Sequence, residues 1–139
     1  MRLPERYRAA VAMPPPAGTS AKSHRRAALQ AEYRLGWVEL NLGRAQESFD
    51  LFLAVVTNPA CQPRIRQDSL GSLVYLYSIL RPPEAAIEFF SQLTPDLCER
   101  AMVLEDLANR YVVMGVPEEQ QVREELDRLA PQTLHCQPH

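Results

Sequence analysis

The chain has 139 residues, 46% of them apolar and 23% charged, which is typical of one globular domain with a single core. Its formal net charge of −2 argues against nucleic acid as a default partner, because phosphate binding depends on clustered Lys and Arg. No run approaches the roughly 18 apolar residues that a membrane span needs, and the apolar stretch near the start is too short for a secretory signal. We therefore expect no membrane span and, by default, a cytoplasmic protein.

The charge is distributed unevenly along the chain. Residues 1–34 carry seven Arg and Lys against two Glu, whereas residues 35–139 carry eight Arg against fifteen Asp and Glu. The stretch MPPPAGTSAKS at 13–23 is rich in Pro and small residues, which predicts an extended linker. We expect a disordered, basic, Pro-rich leader over residues 1–23. Association of this leader with nucleic acid or an anionic membrane stays open as an alternative role.

From residue 24 onward, apolar residues recur at helical spacing without sustained strand-like alternation, so the sequence predicts an all-α fold. Gly43 fits a helix stop, TNPACQP at 57–63 fits a loop, and RPPE and VPEE each place Pro at a first helical position. Six helices are predicted, at 24–42, 44–57, 64–80, 83–93, 96–114 and 117–130, followed by a short tail at 131–139.

The helices carry an internal period of 34 residues. Two sets of buried-type residues are separated by this offset: Leu70, Leu73 and Tyr77, and then Leu104, Leu107 and Tyr111. The opening stretch fits the same frame 38 residues earlier, where Leu35 and Gly36 align with Leu73 and Val74. Such a helix-turn-helix period resembles the tetratricopeptide repeat, whose signature contains L-G-x2-Y and then A-x3-F.

The resemblance covers residues 24–130, with repeats at about 29–62, 67–98 and 101–131, the third of them degenerate. It implies a helix-turn-helix solenoid of about six helices. Gly36 is expected to let the two helices of the first hairpin approach closely, and Gly43 to end the first of them. Glu32 and Glu39 depart from the signature, since they replace its Trp and Tyr.

No nucleotide, nucleophile or zinc-protease signature is present, so we expect a non-enzymatic protein without cofactor, catalytic or metal residues. The three cysteines are odd in number and irregularly spaced, which implies no disulfide framework. The tail HCQPH, with His135, Cys136 and His139, is at most a weak metal site because it lacks a fourth ligand nearby.

In the family that the chain resembles, the first helices of successive repeats line a concave groove that holds a peptide or helix. The resemblance implies these partner-binding residues: Tyr33, Trp37, Asn41, Tyr75, Ile79 and Asn109. Trp37 could instead pack inside the first repeat or under the N-terminal segment. We expect a scaffold or adaptor for a protein partner, with no small-molecule substrate. The sequence leaves the oligomeric state open. The alternative is a regulatory or assembly module of a larger protein.

Overall fold

The computed structural model describes residues 20–136, and this part of the chain is entirely helical with short connections, which confirms the all-α prediction. The six α-helices are α1 Ala21–Asn41, α2 Ala45–Thr57, α3 Pro63–Leu80, α4 Ala86–Leu93, α5 Leu97–Met114 and α6 Glu119–Leu129. None of these helices combines the length and apolar character that spanning a membrane requires. Most of the predicted leader, residues 1–19, lies outside the described residues, as does His139.

Three helix starts lie two or more residues from the prediction, and one of them is that of α6, which begins at Glu119 rather than at Pro117. Helix α1 begins at Ala21 rather than at residue 24, because the hydroxyl of Ser20 caps it by accepting a hydrogen bond from the Ser23 N–H at 3.1 Å. The helix predicted at 83–93 begins as a 3-10 turn at Pro83–Ala85 and becomes α-helical only from Ala86. Short 3-10 turns are common at helix N-termini.

The chain divides into two compact units, and the boundary lies inside α3 between Leu73 and Val74. The first unit contains α1, α2 and the first part of α3. The second contains the remainder of α3 with α4, α5 and α6.

In the first unit, the close approach of α1 and α2 depends on Gly36. A Cβ atom at this position would lie 2.9 Å from Cζ of Phe52, whose side chain is fully buried. Ser48 on α2 donates a hydrogen bond to the Gly36 carbonyl at 2.8 Å. The expectation that Gly36 is a close-contact position is therefore confirmed.

Helix α1 ends in a left-handed turn at Gly43, whose φ is +76°. The Arg44 N–H donates to the Glu39 carbonyl at 2.8 Å, and the Gly43 N–H donates to the Leu40 carbonyl at 3.0 Å. These two bonds form a Schellman motif. Gly115, with φ of +72°, ends α5 through the same pair of bonds. The predicted stop at Gly43 is confirmed, and Gly115 occupies the equivalent position when the 38-residue and 34-residue offsets are added.

The residues related by the 34-residue offset are all buried: Leu70, Leu73, Tyr77, Leu104, Leu107 and Tyr111. The two tyrosines differ in their hydrogen bonding. The Tyr77 hydroxyl donates to the Pro82 carbonyl at 2.9 Å, whereas the Tyr111 hydroxyl has no hydrogen-bond partner among the described residues. Burial, assisted by the nearby Tyr77 and Glu118, raises the pKa of Tyr111 to about 12.

Glu39, which occupies the equivalent position in α1, is also fully buried. Its Oε2 atom lies 3.4 Å from Nη1 of Arg44, while Oε1 has no hydrogen-bond partner between residues 20 and 136. The partly exposed Arg44 thus compensates the buried carboxylate on one side only.

Gly36→Ala is expected to lower the free energy of unfolding by about 1 to 2 kcal/mol, because the strain against the buried Phe52 ring exceeds the gain in helix propensity. Gly71→Ala is the matched control, since no described atom lies within 4 Å of its Cβ position on α3. That variant should gain about 0.5 to 1 kcal/mol. Urea denaturation followed by circular dichroism measures both changes, and a stabilised Gly36→Ala would contradict the close contact.

The raised pKa of Tyr111 predicts a loss of stability at alkaline pH. In the unfolded chain the phenol ionises near pH 10, whereas in the folded chain it stays neutral until about pH 12. The free energy of unfolding is therefore at its full value below pH 10 and declines between pH 10 and pH 12. The decline should amount to about 2 to 3 kcal/mol. Denaturation at pH 8 and pH 11 should show a smaller decline in Tyr111→Phe, while the exposed Tyr75→Phe should behave as the wild type.

Candidate functional site

The first candidate surface lies on α1 and contains Tyr33, Trp37 and Asn41, three of the residues predicted to bind a partner. Trp37 is 36% exposed, and its ring meets Phe52 edge to face with the centroids 5.7 Å apart. The Tyr33 ring contacts the same Phe52 at 6.1 Å. Asn41 is exposed at the last residue of the helix. Trp37 therefore packs against Phe52 in the first hairpin and also remains partly exposed.

An open cleft lies beside Tyr33 at the start of α3. Its volume is about 500 Å³, and it is lined by Tyr33, Arg64, Ile65, Gln67 and Asp68. The Tyr33 hydroxyl donates a hydrogen bond to the Asp68 carboxylate across this cleft. Partial burial and the Asp68 hydrogen bond raise the pKa of Tyr33, so the hydroxyl remains a donor at neutral pH. The hydrogen bond orients the ring beside Trp37.

The second candidate surface lies in the second unit and contains Tyr75 and Ile79, which are 42% and 47% exposed one helical turn apart on α3. The Arg110 guanidinium on α5 lies over the Tyr75 ring, 4.7 Å from its centroid. Its Nε donates to the Ser78 hydroxyl at 3.2 Å. These two contacts fix the position of Arg110 beside the aromatic ring.

Asn109 is the sixth of the residues predicted to bind a partner. It is exposed on α5, but its Oδ1 accepts a hydrogen bond from Nη2 of Arg123 on α6 at 3.0 Å. Its side-chain carbonyl is thus engaged within the hairpin. The neighbouring Arg110, which the sequence pattern did not select, is the polar group that meets Tyr75.

A cluster of thiol and imidazole groups lies at the N-terminus of α5. Cys98 and Cys136 form a disulfide whose Cα atoms are 5.6 Å apart, a single pairing that the number and spacing of the cysteines did not predict. Nε2 of His135 lies 3.7 Å from Sγ of Cys98, and the three ligand atoms lie within 4.8 Å of one another. Cys98 and Cys136 are partly exposed and His135 is exposed. Cys61 is not part of a disulfide.

The tail sequence HCQPH did not indicate Cys98 as a member of this cluster, because Cys98 lies 38 residues before Cys136 in the chain. Asp96 caps α5 by accepting a hydrogen bond from the Cys98 N–H at 2.8 Å, which holds this cysteine in the first helical turn. The 3-10 turn Ala130–Gln132 follows α6 and precedes the segment that carries His135 and Cys136. The fold of the second unit, rather than local spacing, brings the three residues together.

Neither a protein-family model, nor a curated protein, nor a solved structure matches the chain. The tetratricopeptide resemblance therefore rests on the residues of the chain itself, and membership of that family stays a prediction.

Loss of the disulfide is expected to destabilise the second unit. The bond joins residues 38 apart and encloses α5 and α6. By lowering the conformational entropy of the unfolded chain, it should raise the free energy of unfolding by up to roughly 4 kcal/mol. Thermal unfolding of Cys136→Ser should therefore begin at a lower temperature than that of the oxidised wild type. Cys61→Ser, which removes the cysteine outside the disulfide, should leave the transition unchanged. Equal transitions for the wild type and Cys136→Ser would show that the bond adds no stability.

Proposed function

We propose that the chain is a non-enzymatic adaptor that binds a peptide or helix of a protein partner through the exposed apolar side chains of its hairpins. The observation that supports this function is the exposure of Trp37, Tyr75 and Ile79 on helices whose other large apolar residues are mostly buried. Trp and Tyr contribute the largest share of binding free energy at protein interfaces, which favours these positions as anchors.

The contacts around the two aromatic residues favour binding because they order the side chains before a partner arrives. The Trp37 ring packs edge to face against the buried Phe52, and the Tyr75 ring packs against the guanidinium of Arg110. An ordered side chain loses less conformational entropy on association than a mobile one, so more of its contact energy contributes to affinity.

The chemistry of the second surface suits an amphipathic partner segment. Tyr75 and Ile79 offer an apolar strip one helical turn long, and Val113 on α5 is 80% exposed. Arg110 supplies a positive charge beside this strip. A partner with apolar side chains at helical spacing and an Asp or Glu near them would match both features.

The repeat frame supports the same function by analogy. The Gly36 close contact and the shared helix stops at Gly43 and Gly115 follow the tetratricopeptide-like register. In that family, first helices of the repeats carry the partner-binding residues. On this basis the α1 surface and the α3–α5 surface would serve one class of ligand.

Trp37→Ala and Tyr75→Ala are expected to weaken partner binding by at least about 30-fold each, as truncation of an interface hot spot does. The test is selection of helical peptides from a displayed library with the wild-type chain, followed by affinity measurement against each variant. Leu42→Ala is the matched control because Leu42 is 56% exposed yet lies outside both surfaces. Circular dichroism checks that each variant retains its helices.

Retention of wild-type affinity by both Trp37→Ala and Tyr75→Ala would contradict the proposed surfaces. Binding that disappears when residues 1–19 are deleted would point instead to the basic leader. Concentration-dependent self-association in analytical ultracentrifugation, abolished by Tyr75→Ala, would favour an assembly module.

A further inference from the structure

We propose that Cys98, His135 and Cys136 form a redox-gated metal site. In the oxidised chain the two cysteines are joined by the disulfide. After reduction, the two thiolates and the His135 imidazole would bind one divalent cation of the zinc type. This inference is independent of the proposed adaptor function, because it concerns a different part of the second unit.

The spacing of the ligand atoms fits a tetrahedral cation. Zinc binds thiolate sulfur at about 2.3 Å and imidazole nitrogen at about 2.0 Å, which places neighbouring sulfur and nitrogen ligands about 3.6 Å apart. Nε2 of His135 lies 3.7 Å from Sγ of Cys98. The imidazole thus already stands at a ligand-to-ligand distance from this sulfur. The Cys136 sulfur lies within 4.8 Å of the other two ligand atoms, and it would have to move away from Sγ of Cys98 and towards the imidazole.

The donor set selects the kind of metal ion. Two thiolates and one imidazole favour Zn²⁺ and similar ions over Mg²⁺ or Ca²⁺, which prefer oxygen ligands. Three protein ligands leave a fourth position for a water molecule. This arrangement suits an accessible site, and His135 is exposed while both cysteines are partly exposed.

The backbone supplies one fixed ligand and two adjustable ones. Cys98 is held in the first turn of α5, where Asp96 caps the helix. His135 and Cys136 lie beyond the last helix of residues 20–136, in a turn where the Cys136 N–H donates to the Thr133 carbonyl at 3.0 Å. Because such a segment can adjust more readily than a helix, the tail can move the short distance that coordination requires.

The exchange between the two states balances in electrons and protons. A dithiol reductant transfers two electrons and two protons to the disulfide, giving two thiols, and becomes a disulfide itself. The cation then displaces the two thiol protons to solvent. In the reverse direction, a low-molecular-weight disulfide accepts two electrons from the thiolates and takes up two protons, while the Cys98–Cys136 bond re-forms and the cation is released.

The consequence is that the tail is tied to α5 in two chemically different ways. The oxidised chain uses a covalent bond, the reduced metal-loaded chain uses coordination, and only the reduced metal-free chain lacks a link. Segments held in this manner respond to both the thiol redox state and the supply of metal ion.

The proposal is tested by titrating the full chain with Co²⁺, a spectroscopic substitute for Zn²⁺, under anaerobic conditions after reduction with a phosphine. The reduced wild type should show a thiolate-to-cobalt charge-transfer band that saturates at one equivalent and disappears when Zn²⁺ is added. The oxidised chain should show no band. Cys98→Ser and Cys136→Ser should abolish it, and His135→Ala should weaken Co²⁺ binding at least about tenfold.

Cys61→Ser is the control thiol variant, and it should bind Co²⁺ as the wild type does. A reduced wild type without the band, an oxidised chain that binds equally well, or a band lost in Cys61→Ser would each overturn the proposal. Circular dichroism monitors folding of the serine variants. If they lose helicity, His135→Ala decides, because it retains both cysteines: unchanged Co²⁺ affinity in that variant would also refute the site.

Discussion

The close approach of Gly36 to the ring of Phe52 is the contact on which the first unit depends. Because a Cβ atom at position 36 would lie 2.9 Å from the ring, the separation of α1 and α2 is possible only with glycine there. The same approach brings Ser48 within hydrogen-bonding distance of the Gly36 carbonyl. The Phe52 ring then supports Tyr33 and Trp37 edge to face, so the exposure of Trp37 follows from a glycine one residue earlier.

The second unit reaches a similar result with larger side chains. Tyr77 packs against Phe89 and Phe90, with centroids 5.0 and 5.3 Å away, and its hydroxyl reaches the Pro82 carbonyl at the helix end. With Tyr77 turned inward, Tyr75 on the same helix is left exposed and meets Arg110. Successive helical residues point about 100° apart, so the residue that faces the core sets the direction of its neighbours. Gly36 does this for Trp37 in the first unit, and Tyr77 does it for Tyr75 in the second.

The sequence predicted the candidate surfaces unevenly. Exposure of Trp37, Tyr75 and Ile79 agrees with the repeat register, because helical periodicity alone assigns faces. The hydrogen bond between Asn109 and Arg123 and the position of Arg110 over Tyr75 were not predictable from periodicity. The contacts of a long, flexible arginine side chain depend on how the neighbouring helices pack around it.

The sequence by itself determined the six helices and the stop at Gly43, because helical periodicity and left-handed glycines act over a few neighbouring positions. It also determined which apolar residues are buried at the 34-residue offset. Only the tertiary structure decided that Cys98 meets Cys136 and His135, and that the chain forms two compact units. Those outcomes depend on how helices far apart in the chain pack together, and no local spacing of residues records that packing.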